Sequence, residues 1–148
     1  MRDILFRGKR MDNGEWAEGY LYEHEPALVG IASENDVPEP SKWFIARTGF
    51  ADWNMPRPVE FVEIDPSTVG QYTGLKDKNG KRIFEGDVAK VLQCKDKDIA
   101  YVRFENGAFM LYPKTGNIYE RTLWSYWYND WDVEVIGNIT DNPELLEK

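Results

Sequence analysis

The sequence holds one cysteine, Cys94, and one histidine, His24. A single thiol excludes an internal disulfide and a multi-cysteine zinc site, and a single imidazole excludes a histidine-rich metal cluster. No apolar run approaches the roughly 18 residues that a membrane-spanning helix requires. The opening MRDILFRGKR is broken by charge too early to form the apolar core of a signal peptide, so the expectation is a soluble, cytoplasmic chain. The patterns G-x-S-x-G, G-x-G-x-x-G, H-E-x-x-H and the phosphate-binding loop are all missing, and with them the motif-based hydrolase, dinucleotide and metalloprotease readings. Basic charge is in short supply as well: 18 Lys and Arg face 26 Asp and Glu, for a net charge of −8. Phosphate backbones and anionic bilayers repel such a chain, which disfavours nucleic acid as a partner and leaves no role for a membrane.

What the chain does have is aromatic and β-forming side chains. Over 148 residues, 42% are hydrophobic and 14% aromatic, enough to pack an interior. Six tryptophans, eight tyrosines and seven phenylalanines favour strands, whose pleated surfaces take flat rings well. Three Asn-Gly pairs, at Asn13, Asn79 and Asn106, each fall between alternating runs and predict hairpins. The runs themselves are Ile4–Gly8, Trp16–Tyr22, Val59–Ile64, Val69–Gly74, Ile83-Phe84, Val88–Cys94, Ile99–Phe104, Ala108–Tyr112 and Trp131–Ile139. Ala27–Ile31 and Trp43–Arg47 add two short candidate strands, separated by the proline-bearing loop Ser33–Ser41, and Asp52–Pro58 forms a further loop. Asn142-Pro143-Glu144 signals a helical turn at the end of the chain. No segment sustains a 3.6-residue period. The predicted class is all-β, with an N-terminal hairpin region over 1–66 and a small SH3-like barrel over 67–148. An OB-like closure is the alternative, as is one continuous domain.

Thr68–Lys90, TVGQYTGLKDKNGKRIFEGDVAK, is the most distinctive stretch. Its Gln71-Tyr72-Thr73-Gly74-Leu75, Asp77, Gly80 and Glu85-Gly86-Asp87 blocks are followed by Ile136-Gly137-Asn138 in the same order as in the YopX family of phage and prophage proteins, which the chain resembles. The opening ILFRGKRMDNGEW is similar to that family's first hairpin. The resemblance implies a β-built protein of temperate-phage or prophage origin that self-assembles into a homo-oligomer. It implies no enzymatic activity, no cofactor and no catalytic residue.

Three clusters are candidates for chemistry or contact. Asp77, Glu85 and Asp87 offer carboxylates for a divalent cation or acid–base work, against the plainer reading of turn-forming residues. Lys76, Lys78, Lys81 and Arg82 form a basic hairpin tip that suits phosphate contacts, against the plainer reading of a charged, pairing-resistant edge. Trp124, Tyr126, Trp127, Tyr128 and Trp131 form an aromatic run read on a strand, where not all of them can point inward. That run suits a protein interface, with base stacking as the lesser reading. Cys94 reads as a small apolar strand residue and His24 as a surface residue. The functional expectation is a non-enzymatic accessory module that associates with itself and with a phage or host protein. A nucleic-acid-binding barrel is the alternative.

Overall fold

The computed structural model describes residues 3–26, 40–49, 59–93, 96–118, 120–128 and 132–147, with the side chains of Gln93, Trp127 and Tyr128 outside that description. The predicted strand Ala27–Ile31, nearly all of Ser33–Ser41, all of Asp52–Pro58, and Cys94 and Trp131 lie outside the described residues. The chain is built mainly of antiparallel β-structure and divides into two compact units: Leu5–Val69, and Met1–Ile4 with Gly70–Lys148.

The N-terminal unit contains β1 (Phe6–Lys9), β2 (Trp16–His24), β3 (Lys42–Thr48) and β4 (Val59–Ile64), paired in the order β4-β3-β2-β1. The first hairpin closes around Asn13-Gly14 as expected, through a longer loop than a two-residue turn. Lys9 pairs with Trp16, and the Arg10 amide donates to the Glu15 carbonyl at 2.9 Å. The inner face packs Ala17, Ile45, Val62 and Ile64, with Phe6, Leu21, Trp43 and Val69 against them. Gly19 is required by the close approach of β3, because a Cβ there would land on the Ala46 carbonyl oxygen. A single 3-10 turn, Pro66–Thr68, ends the unit, capped by Asp65 Oδ1 accepting from the Ser67 amide at 2.9 Å.

The C-terminal unit contains β5 (Gly70–Lys76), β6 (Arg82–Phe84), β7 (Asp87–Gln93), β8 (Asp96–Glu105), β9 (Ala108–Pro113), β10 (Arg121–Thr122), the short helix α1 (Leu123–Tyr128) and β11 (Asp132–Asn138). β5 and β6 form a hairpin, while the rest follow the order β10-β9-β8-β7-β11, so the last strand returns to pair with β7. Among the described residues the pairings give a five-stranded sheet with β10 and β11 as its outer strands, and none of them closes it into the predicted small barrel. Of the three Asn-Gly pairs, only Asn106-Gly107 has positive φ at both residues, 51° and 80°. It is therefore the pair that makes a two-residue turn, with Glu105 opposite Ala108. The core gathers Ile83, Ala89, Val91, Ala100, Val102, Leu111, Ile118, Leu123, Tyr126, Val133 and Val135.

Helix α1 corrects the reading of Leu123–Tyr128 as a strand. Residues three apart share a helix face but lie on opposite faces of a strand. Leu123 and Tyr126 are both buried, so only the helix satisfies both. The hydroxyls of Thr122 and Ser125 hydrogen-bond at 2.8 Å across its first turn. The predicted C-terminal turn is the 3-10 segment Pro143–Leu146.

Asp98 anchors the segment after β9 and carried no signal in the sequence. Its carboxylate accepts from the Ile99 amide (2.7 Å), the Thr115 amide (3.2 Å) and hydroxyl (2.7 Å), and the Asn117 amide (3.1 Å). Burial, the largest single influence, works against its charge, but these donors together outweigh it and hold Asp98 below the ordinary carboxylate range. A depressed native value stabilises the fold above the unfolded-state pKa near 3.9, and that contribution is lost as pH falls through the lower native value. The urea midpoint of the wild type therefore drops with acidification below about pH 4, and Asp98→Asn, already weaker at neutral pH, shows a shallower drop. Equal acid dependence in the two proteins would contradict this role.

Candidate interaction surfaces

The sheet of the N-terminal unit is apolar on both sides. Side chains alternate faces along a strand, so the residues between those of the packed inner face point outward. On β2 these are Tyr20 and Tyr22, on β3 Phe44, and on β4 Val59 and Phe61. Tyr20 is 66% exposed and Phe61 57%. Cross-strand register sets Tyr20 beside Ala46 and then Phe61, and Tyr22 beside Phe44, so the rings form one patch. Tyr22, His24, Phe44 and Phe61 line an open cleft of about 410 Å³ on it. His24 thus has a place at the edge of an aromatic cluster, its Nδ1 3.3 Å from the Tyr22 hydroxyl. In the sequence this surface had a signal on β3, whose continuous apolar run Trp43–Ala46 indicates a strand covered on both faces rather than one.

The aromatic run of the C-terminal unit separates into different roles. Tyr126, expected at an interaction surface, is instead fully buried, and burial pushes its phenol above the ordinary value. Trp124, two residues earlier, is 57% exposed. It stands on an apolar cleft of about 460 Å³ with Thr73, Gly74, Leu75, Ala108, Phe109, Thr122 and Leu123. Gly74 at φ 87° lies within a register irregularity of β5 that helps shape this cleft. Trp127 and Tyr128 belong to α1, and Trp131 falls outside the described residues.

The basic hairpin tip is partly occupied. Lys78 Nζ lies 2.8 Å from Glu134 Oε2, a hydrogen bond that raises the lysine pKa and lowers the glutamate's. The Arg82 guanidinium lies 5.8 Å from the centre of the Tyr72 ring, and Lys76 and Lys81 are exposed. The carboxylates Asp77, Glu85 and Asp87 accept from separate backbone amides, three of them at Asp77. Asp77 Oδ1 accepts from Asn79 and Lys81, both at 2.9 Å, and its Oδ2 from Val135 at 3.0 Å. Asp87 Oδ2 accepts from Phe84 at 2.8 Å, and Glu85 Oε1 from Phe104 at 3.3 Å. Gly86, at φ 83°, donates to the Val102 carbonyl at 2.8 Å and accepts from the Ile139 amide at 2.8 Å. Among the described residues, no three His, Cys, Asp or Glu side chains come together as a metal-binding group. No helix among them is long and apolar enough to cross a membrane.

Fold and surfaces together define a small, mainly antiparallel β protein that leaves aromatic side chains open to contact. The chain belongs to the YopX family, whose model, described as YopX protein, matches residues 6–147. A solved structure, protein EF1440 from Enterococcus faecalis, is similar to it over 99% of this chain and 100% of that one, at 24% identity and a TM-score of 0.51, and shares its fold. No curated protein matches the chain.

Proposed function

We propose that this protein is a non-enzymatic accessory module, of phage or prophage origin as the family resemblance implies, that works by binding protein, its own copies included. The observation that carries this reading is the doubly apolar sheet β2-β3-β4. One face is packed by Ala17, Ile45, Val62 and Ile64, while the other presents Tyr20, Tyr22, Phe44 and Phe61. A contiguous patch of large rings is the composition of an interface core. The engagement of Asp77, Asp87 and Asp98 by backbone amides supports an architectural role for them rather than catalysis.

Self-association is assigned to the Trp124 cleft of the C-terminal unit. Leu5–Val69 carries twelve acidic against six basic residues, a net −6 of the chain's −8, which leaves −2 for the C-terminal unit. Like charge therefore opposes contact between copies least on that unit. Sedimentation of the wild type is expected to give a species larger than the 17.3 kDa monomer, and Trp124→Ala to shift it toward the monomer. A wild type that stays monomeric at high concentration and captures no protein would overturn the proposal. Binding of single-stranded DNA or RNA at low salt, abolished by Lys78→Glu with Lys81→Glu, would replace it with a nucleic-acid-binding role.

A further inference from the structure

The cleft on the outer face of β2-β3-β4 has a geometry and a charge setting that specify an occupant, given that this face binds protein. Tyr22 stands at its centre. Its ring lies 6.4 Å from Phe44, tilted by 36°, and 6.0 Å from Phe61, edge-on at 66°. The His24 ring is 6.1 Å away on a further side. Three benzenoid rings at mutual angles present both faces and edges to the opening, and ring faces carry the negative lobe of the aromatic quadrupole. A cation within about 6 Å of a ring centre is attracted to it, and more strongly where water is partly displaced. The same unit already uses this geometry internally, with the Arg7 guanidinium 4.7 Å from the centre of the Trp16 ring.

Charge selects among the possible occupants. On this face Glu63 lies opposite Phe44 and Lys42 opposite His24, while Glu18, beyond Tyr20, lies opposite Arg7, so the local balance is close to even. The net −6 of the unit then sets the longer-range field. That field repels a second copy of the same face and repels phosphate backbones, while it draws in a basic chain. We propose that the cleft docks a basic segment of a partner protein, with an arginine or lysine side chain seated against Tyr22, Phe44 and Phe61. The apolar neighbours of that side chain rest on Tyr20 and Val59, which flank the cleft on the same face.

Fluorescence polarisation of a labelled peptide alternating arginine and leucine, titrated with the full-length protein, tests this. The controls are the same peptide with citrulline in place of arginine, and the variants Tyr22→Leu and Phe61→Leu. The citrulline peptide keeps shape and hydrogen bonding without charge, and the leucine variants keep apolar area without a ring. The arginine peptide is expected to bind about tenfold tighter than the citrulline peptide, and each leucine variant to weaken it by a factor of roughly three to ten, with an unchanged melting temperature. Equal binding of arginine and citrulline peptides would overturn the cationic seat and leave the protein-binding face standing. Arginine-peptide binding unaffected in both leucine variants would assign the attraction to net charge alone and likewise overturn it. Should neither peptide bind, and Tyr20→Ser with Phe61→Ser leave every measured association unchanged, both the seat and the protein-binding reading of the face fall together.

Discussion

Asp77→Ala is expected to lower the unfolding free energy of the C-terminal unit by about 3–5 kcal/mol. The side chain is buried at 7% exposure and accepts three backbone amides. Two of them, from Asn79 and Lys81, fold the β5–β6 turn onto itself, and the third, from Val135, comes from β11, 58 residues away. The Lys78 amide adds a bond to the Val133 carbonyl at 3.0 Å, so the tip is held to β11 at two points. Hydrogen bonds to a charged group are worth about 1.5–3 kcal/mol each, and deletion leaves buried donors without an acceptor. Their sum is not additive, which sets the expected loss below the arithmetic total. Asp77→Asn keeps one acceptor oxygen and turns an amide toward the other donors, so it falls between wild type and alanine. Urea unfolding followed by tryptophan fluorescence reads both. A loss under about 1 kcal/mol for the alanine variant would show that this carboxylate is not a fastening between the turn and β11.

Tyr126 and Trp124 are expected to behave in opposite ways although only one residue separates them. Tyr126→Ala removes a fully buried ring from the core that includes Leu111, Leu123 and Val133, and large-to-small changes of this size cost about 3–5 kcal/mol. Tyr126→Leu leaves a smaller cavity and is expected to cost about half as much, which keeps the measurement available should the alanine variant fail to fold. Neither changes the association constant once folded. Trp124→Ala, at an exposed position, leaves stability within about 1 kcal/mol and reduces self-association instead. Thermal melts paired with sedimentation on the three variants separate the roles. Equal stability losses for Tyr126→Ala and Trp124→Ala would contradict the assignment of one ring to the core and the other to the surface.

How far each surface was legible follows from the range of the forces that form it. The β class, the hairpins around the three Asn-Gly pairs, the Glu85-Gly86-Asp87 corner and the closing 3-10 turn all rest on local preferences, and local sequence carries these. The aromatic run near Leu123 misled, because the rings suggested a strand. Six residues are too few to show a helical period, and it was the burial of Leu123 and Tyr126 against other strands that decided for the helix. Trp124 was legible as an aromatic, but its place beside Leu75 and Phe109 on a cleft depends on which strands meet there.

The outer face of β2-β3-β4 shows the same division more sharply. The residues Tyr20, Tyr22, Phe44 and Phe61 are spread over 42 positions, and only cross-strand register makes them neighbours. By itself the sequence determined a mainly β chain of the YopX family, acidic, with one thiol, one imidazole and more aromatic side chains than its turns required. The tertiary structure alone decided which of those rings fill the interior and which stand open. Burial is a property of long-range pairing, and residues far apart along the chain acquire a common surface only once the strands have met.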